Sequence, residues 1–198
     1  MAEGSRAGGE PRRRDPERRE RILTAAAHLV AQRGYHDVGM ADIGAAAGVT
    51  GSAIYRHFEG KSAVLVAMFD RVIDDLSTDA EHIVTTTGDP RAALRRLVHG
   101  QVMFVTNDRT LAQVYHNEIT NLPDPDRHRL RRKQRLYIEE WVHALATLRP
   151  NVSDAELRAR AHAAIGAIQS TLFYSSGLAE DRLVGLMCEC AEAVLLTD

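Results

Sequence analysis

Residues 39 to 65, GMADIGAAAGVTGSAIYRHFEGKSAVL, constrain the fold more than any other stretch of the chain: they read as two short helices meeting at a glycine corner and running into a third helix. Met40, Ile43 and Ala47 recur at i, i+3 and i+7, which puts one apolar stripe on the first helix. Gly48 ends it, because a backbone entering the left-handed region after a helix favours a residue without a Cβ. Val49 plugs the corner, and Thr50 is placed to cap the next helix through its hydroxyl. Within Gly51 to Phe58, Ile54 and Phe58 are four apart and face the first helix, which leaves Thr50, Gly51, Ser52, Tyr55, Arg56 and His57 outside. A short polar face on the second of two helices joined by a tight turn is the arrangement that presents a recognition helix to the major groove of double-stranded DNA.

The rest of the chain extends this into an all-α expectation. Val64, Leu65, Met68, Phe69, Val72, Ile73 and Leu76 stripe a long helix reaching into the 80s. Gly88-Asp89-Pro90 breaks it and opens another, in which Leu94, Leu97, Val98, Val102 and Val105 repeat at helical spacing. A shorter segment begins at Asn107-Asp108, and Pro123 and Pro125 flank the next turn. A long helix then runs from about Asp126 to Leu148 and stops before Pro150. Ser153 and Glu156 have the S-x-x-E spacing of a capping box, and a last helix starts after Gly177.

At the corner the sequence resembles the DNA-binding domain of the TetR (tetracycline-repressor-like) family of bacterial regulators. The resemblance is carried by Ala47, Gly48, Val49, Thr50, Tyr55, His57, Phe58 and Lys61, and by the Ile22 to Gly34 segment with its Gly34-Tyr35 ending. It implies an N-terminal three-helix domain over 15–62, preceded by a basic arm over 1–14, and a helical ligand-binding and dimerisation domain over 63–198. It also implies that Tyr55, His57 and Lys61 contact the DNA backbone, which sets register and carries no sequence information. Thr50, Gly51, Ser52 and Arg56 are then the candidates for base edges, Arg56 because a guanidinium pairs with guanine N7 and O6. Two positions depart from the family pattern: Gly39 stands where Ser or Thr is usual, and Gly44 where Ala is usual. The first removes a phosphate contact, and the second weakens the helix by about 1 kcal/mol.

Charge supports the placement of the DNA-binding end more than its existence. The whole chain has a formal net charge of −2, but residues 1–62 hold 10 Lys and Arg against 8 Asp and Glu, whereas 63–198 hold 15 against 19. Arg12, Arg13 and Arg14 sit in a Gly-, Ala- and Pro-containing tail with too little apolar content to fold, suited to following phosphates or to solubility alone.

In the C-terminal part the resemblance implies an enclosed small-molecule effector. Met103, Phe104, Tyr115, Asn117, Glu118, Tyr137, Trp141, Phe173 and Tyr174 offer aromatic and Met walls with sparse polar groups. The run Arg127, Arg129, Arg131, Arg132, Lys133 and Arg135 suits either the phosphates of an acyl-CoA ester or a solvated helix face. The small face Ala159, Ala163, Gly166, Ala167 and Ser170, with Leu183, Leu186, Met187, Cys190 and Val194 on the last helix, points to a homodimer through the last two helices. The resulting expectation is a dimeric repressor released from a palindromic operator by a lipophilic ligand, with a ligand-independent regulator as the alternative.

An enzyme is the reading from another class. His116, Glu118, His143 and His162 are the available cluster, but there is no H-E-x-x-H, Cys-His ligand set, Gly-rich phosphate loop or nucleophile elbow, so no catalytic residue, metal or cofactor is expected. Cys188 and Cys190, at i and i+2, point to different faces of one helix and read as buried thiols. With no apolar run near 18 residues and no signal-peptide core after the arginine-rich start, a cytoplasmic protein without a membrane span is expected.

Overall fold

Polar punctuation sets the helix boundaries. The computed structural model describes residues 16–197, so the 1–14 arm with Arg12, Arg13 and Arg14 lies outside the described residues. Among those described, helices α1 (Pro16–Arg33), α2 (Met40–Ala46), α3 (Gly51–Ile54), α4 (Lys61–Thr86), α5 (Pro90–Asn107), α6 (Arg109–Glu118), α7 (Asp124–Leu148), α8 (Asp154–Gln169) and α9 (Glu180–Leu196) follow one another, with 3-10 turns at Ile119–Asn121 and Ser170–Phe173 and no strand. The Asp89 carboxylate accepts from the Arg91 and Ala92 amides at 3.1 and 3.2 Å and caps α5, a contact worth about 1 kcal/mol. Ser153 caps α8 by accepting from the Glu156 amide at 3.3 Å. The return arm of that capping box does not form, because the Glu156 carboxylate is held by Arg160 at 2.9 Å.

One apolar cluster runs through the molecule. Ile22, Val30, Ile43, Ile54 and Phe58 pack among α1, α2 and α3, and Met68 and Phe69 of α4 continue that packing into Leu94, Val98, Leu130, Trp141 and Ile165. Phe69 is fully buried and meets Tyr115 of α6 edge to face, their centroids 4.9 Å apart. α4 therefore shares its apolar face between both ends of the protein.

The last two helices leave a face uncovered. In α8, Leu157, Ala161, Ala164, Ile165 and Ile168 are buried, while Ala159, Ala163 and Gly166 are exposed. In α9, Met187, Ala191 and Leu195 are buried, whereas Leu183, Leu186 and Val194 are half-buried. The cysteine expectation needs correcting: Cys188 is partly covered and Cys190 exposed, because α9 packs on one side only. Burial and the nearby Glu192 and Glu189 raise the pKa of the Cys188 thiol.

Candidate nucleic-acid interface and effector cavities

The α2–α3 corner is built by backbone geometry and one glycine. Gly48 adopts φ +66°, where only a residue without a Cβ sits without strain, and the Val49 amide returns to Gly44 O at 2.9 Å. Gly39 has no side chain to accept from the first amides of α2; its own amide donates to Asp42 Oδ2 at 2.8 Å, which satisfies that donor and leaves the expected loss of a phosphate contact in place. Thr50 occupies the N-cap of α3 with extended backbone, but its hydroxyl makes no cap hydrogen bond, contrary to the sequence expectation. The Thr50 carbonyl instead takes the Ala53 and Ile54 amides, and the hydroxyl remains at the exposed surface.

The second helix is shorter than its pattern suggests. Regular helix ends at Ile54, and tight turns then carry the chain to Phe58, whose amide still reaches Ile54 O at 3.0 Å. Ile54 and Phe58 stay buried, as four-residue spacing requires, and Thr50, Ser52, Tyr55 and Arg56 are exposed. Gly51 opens the helix beside them, and His57 is half-buried. Tyr55 is 59% exposed, too much for a core aromatic, and lies on the same surface as Arg56.

Lys61 has a structural task. Its ammonium donates to Tyr35 O at 2.6 Å and His36 O at 3.1 Å and lies 4.4 Å from the Tyr35 ring centroid. An ammonium has three N–H donors, so one is left for a phosphate. The loop it holds is also tied to the other end of the protein: the Tyr35 amide donates to Glu118 Oε1 at 3.4 Å, His36 Nε2 is 3.1 Å from Asn121 Oδ1, and Asn121 Nδ2 donates to Glu118 Oε2 at 2.5 Å. Glu118, expected in an effector pocket, therefore fastens the α1–α2 loop to the end of α6. Burial, reinforced by the Glu118 charge, raises the pKa of the Tyr35 phenol.

The structure divides the remaining expected effector residues. Phe104, Tyr115 and Tyr137 line a small cavity of about 30 Å³ between α4, α5, α6, α7 and α8. Met103 shares with Phe104 a groove of about 410 Å³ between α4 and α5. Trp141 is fully buried one turn along from Tyr137, edge-on to it at 6.2 Å, and serves the core. Asn117, Phe173 and Tyr174 are exposed: the Ser170–Phe173 turn carries the last two outward, where Phe173 packs edge-on against His116. His143 and His162 are exposed on α7 and α8, and no described group of three His, Cys, Asp or Glu is placed to hold a metal ion.

The small cavity has polar members that aromatic spacing did not reveal. Gln101, Gln134 and Gln169 line it, and buried Gln101 accepts from the Tyr137 hydroxyl through Oε1 at 2.8 Å. Gln101 had a signal, since it stands four after Leu97 and four before Val105 in an otherwise apolar row. Burial raises the pKa of Tyr137 strongly. The Tyr115 hydroxyl is buried without a hydrogen-bond partner among the described residues, and burial, with the Asp70 charge behind it, pushes its pKa up to about 12. An unpaired buried hydroxyl costs about 1–3 kcal/mol, and a ligand acceptor would recover that.

The basic run of α7 splits by face. Arg129 reaches Asp70, with one N–H···O contact of 2.8 Å, and Lys133 bridges Asp70 and Asp74 of α4 at 2.9 and 2.7 Å. Burial alone would raise the Asp70 pKa, but hydrogen bonds from Arg129 and Lys133, with their charges, hold it below the usual value. Arg127 pairs with Asp124. Arg131, Arg132 and Arg135 remain exposed on the outer side.

Sequence and structure comparisons agree with this geometry. Residues 22–68 match the profile of bacterial regulatory proteins of the tetR family, and residues 87–171 match a tetracyclin repressor-like C-terminal domain. The transcriptional activator FasR of Mycolicibacterium smegmatis is 36% identical over 92 residues, 46% of this chain and 42% of FasR. The transcriptional repressor KstR2 of Rhodococcus jostii is 30% identical over 105 residues, 53% of this chain and 52% of KstR2. The chain thus spans about half the length of these curated relatives. A crystal structure of AibR in complex with isovaleryl coenzyme A and operator DNA shares the fold with a TM-score of 0.75 at 20% identity, covering 87% of this chain and 97% of AibR.

Proposed function

The chain belongs to the TetR family of DNA-binding transcriptional regulators, and from that premise we propose that it is a cytoplasmic, dimeric repressor released from a palindromic operator by a small lipophilic ligand. The observation that carries the DNA-binding half is the exposed row Thr50, Ser52, Tyr55 and Arg56 held over buried Ile43, Ile54 and Phe58. Polar side chains fixed on a rigid corner are what base and phosphate recognition require. Gly51 allows close backbone approach at the start of α3. Tyr55, His57 and the remaining donor of Lys61 serve phosphates, and Thr50, Ser52 and Arg56 face base edges.

Dimerisation is supported by the uncovered small-residue face of α8 beside the half-buried apolar side of α9. Two such pairs close a four-helix bundle under two-fold symmetry, and the paired recognition helices then address half-sites ~34 Å apart. Repression is the simpler outcome, since occupying a promoter needs no further contact surface. The relatives include both an activator and a repressor, so transcription from the bound promoter decides the sign.

The effector cavity is supported by Phe104, Tyr115 and Tyr137 around a small space whose Tyr115 hydroxyl lacks a partner among the described residues. A ligand opens it by binding one arrangement of α4, α6 and α7 better than another, and going from mostly bound to mostly free operator requires a roughly 10⁴-fold preference, or ~5.5 kcal/mol. For an acyl-CoA ester, Arg131, Arg132 and Arg135 are exposed cations on α7 that do not pair with the α4 carboxylates as Arg129 and Lys133 do. AibR, seen with isovaleryl coenzyme A, shows the fold in such a complex, and the case for this chain rests on those arginines.

The deciding experiment is binding of the purified protein to labelled DNA from immediately upstream of its own gene, at fixed salt with unrelated competitor. Saturable, competitor-resistant binding is expected. Binding abolished equally by unrelated DNA at every candidate promoter would remove the reading. Once an operator is in hand, lauroyl-CoA is expected to release it, and an Arg132→Ala/Arg135→Ala protein to require more of it; an unchanged requirement would remove the acyl-CoA half.

A further inference from the structure

The small cavity between α4, α5, α6, α7 and α8 is defined as much by what its walls lack as by what they hold. None of the residues lining it is Lys, Arg, His, Asp or Glu, yet Gln101, Tyr115, Gln134, Tyr137 and Gln169 bring amides and phenols to it from four helices. Val72, Leu76, Ile138 and Ile165 belong to the apolar remainder. A core that had only to pack would hold fewer polar groups, because each one buried without a partner costs free energy.

These polar groups are incompletely matched to one another. The Tyr137 hydroxyl donates to Gln101 Oε1 at 2.8 Å, which engages the amide oxygen and leaves the Gln101 N–H groups to donate. The Tyr115 hydroxyl is buried and makes no hydrogen bond among the described residues. The Gln134 and Gln169 side chains likewise have no hydrogen bond to a described residue. Burial raises the pKa of both phenols, so at neutral pH each keeps its proton and acts as a donor. The charges felt by the phenols are those of carboxylates, Asp70 at Tyr115 and Asp79 at Tyr137, and neither carboxylate lines the space.

Ligands are sorted by such walls. A saturated chain leaves the Tyr115 donor unmet. A carboxylate arrives with no cation to meet it, and an ammonium finds no lining carboxylate, so either ion loses its hydration without a partner. A neutral acceptor oxygen meets the Tyr115 hydroxyl directly, beside amides that donate or accept as required. The space of about 30 Å³ has room for about one such group, with the carbon frame following as the helices part. We propose, on the footing that this space is the effector cavity, that its occupant is a neutral lipophile with a ketone or ester oxygen on its carbon frame, and that Tyr115 is the residue that selects for that oxygen. The Tyr115 ring is held edge-on to Phe69 at 4.9 Å, so its hydroxyl is positioned without any hydrogen bond of its own. A hydroxyl left unmatched in the free protein, at a cost to stability, is the mark of a group reserved for a ligand.

The test is calorimetric titration of the full chain with 2-undecanone, undecanoate and undecylammonium, which share one chain length, each below its solubility or micelle limit. Saturable binding of the ketone is expected, roughly tenfold or more tighter than that of either ion. Tyr115→Phe keeps the ring against Phe69 and removes only the unmatched hydroxyl. Its free form is expected to melt at the parent's midpoint or above, while its affinity for the ketone falls roughly tenfold and that for the ions does not. A residue with a packing role alone would show a lowered midpoint and no selective loss. Ketone binding that is absent, no tighter than that of the ions, or unchanged in Tyr115→Phe overturns the assignment. If that happens while lauroyl-CoA still releases the operator, the effector reading survives without the oxygen selectivity. If the ketone binds and Tyr115→Phe weakens it, yet neither ketone nor lauroyl-CoA moves operator affinity, the selectivity stands and the effector reading fails.

Discussion

The α2–α3 corner and the cavity between α4 and α8 are built on opposite plans. At the corner, Ile43, Ile54 and Phe58 are buried and the polar residues point out; in the cavity, Gln101, Tyr115 and Tyr137 put polar atoms inside. The difference follows from what each can recognise. A partner as large as DNA stays outside and meets side chains already in water, while a small ligand has to be met by groups the protein has desolvated in advance. Damage to the corner's interior should therefore act through folding, and damage to its exterior through DNA alone, whereas in the cavity the two effects should merge.

The largest effect tests the corner's interior. Phe58 is 5% exposed with the Arg19 guanidinium 5.4 Å from its ring centroid, so Phe58→Ala removes both core volume and that contact. A loss of ~3–5 kcal/mol is expected, read as a lowered melting midpoint, with operator binding lost in step. Arg56→Ala should do the reverse, leaving the midpoint in place and weakening specific binding by ~1–3 kcal/mol with relaxed preference at one base pair. If Arg56→Ala lowered affinity equally for all sequences, Arg56 would be a phosphate contact and the division of the exposed row would have to be redrawn.

The cavity is tested by Gln101→Leu. It leaves the Tyr137 hydroxyl buried without its acceptor, at a cost of ~1–3 kcal/mol in urea unfolding. Gln101→Leu combined with Tyr137→Phe should recover most of that loss, since two apolar groups then face each other. Failure of the double variant to recover would show that the pair is not an isolated hydrogen bond but part of a wider polar network.

These contrasts also explain what was legible in the sequence. The corner was readable because each of its residues obeys a local rule: Gly48 takes positive φ, and Ile54 and Phe58 share a face by spacing. Its errors were local as well, as with the Thr50 hydroxyl that makes no cap and the helix that relaxes into turns after Ile54. The effector cavity was harder, because its walls come from five helices and depend on which way each rotates. Tyr115 and Asn117 are two apart on one short helix, so only one of them can face inward, and Phe173 and Tyr174 are turned out by a 3-10 segment that no periodicity announces. The basic run on α7 looked uniform, yet Arg129 and Lys133 answer Asp70 and Asp74 some 60 positions earlier, a pairing only the packed helices define.

That clamp gives a smaller, pH-dependent effect. Asp70 has a lowered pKa in the folded protein, so its contribution is fully present above the unfolded value of 3.8 and is lost as pH falls through the folded one. Because its partners are partly exposed, Asp70→Asn should cost no more than ~1 kcal/mol at neutral pH. The difference between variant and parent should narrow as pH falls from 3.8 and close once pH is below the folded value, and a gap that does not narrow would mean that packing, not charge, holds α7 to α4 at this point.

The smallest effect sits where the two plans meet a constraint of shape. Gly44 is buried in α2, and alanine there should gain about 1 kcal/mol of helix propensity. A Cβ at this position, however, comes 3.3 Å from Val49 O, which is closer than a relaxed contact and belongs to backbone that cannot swing aside like a side chain. Val49 is fixed from the other direction by its own amide bond to Gly44 O, so the corner can yield only by opening the angle between α2 and α3. Gly44→Ala is therefore expected to raise stability by less than ~0.5 kcal/mol, the propensity gain being offset by the wider turn. Operator affinity should fall although no DNA-facing residue has changed, because the row from Thr50 to Arg56 is displaced. A full propensity gain with unchanged operator affinity would show that the corner has room to spare, and that the glycine does not set the recognition angle.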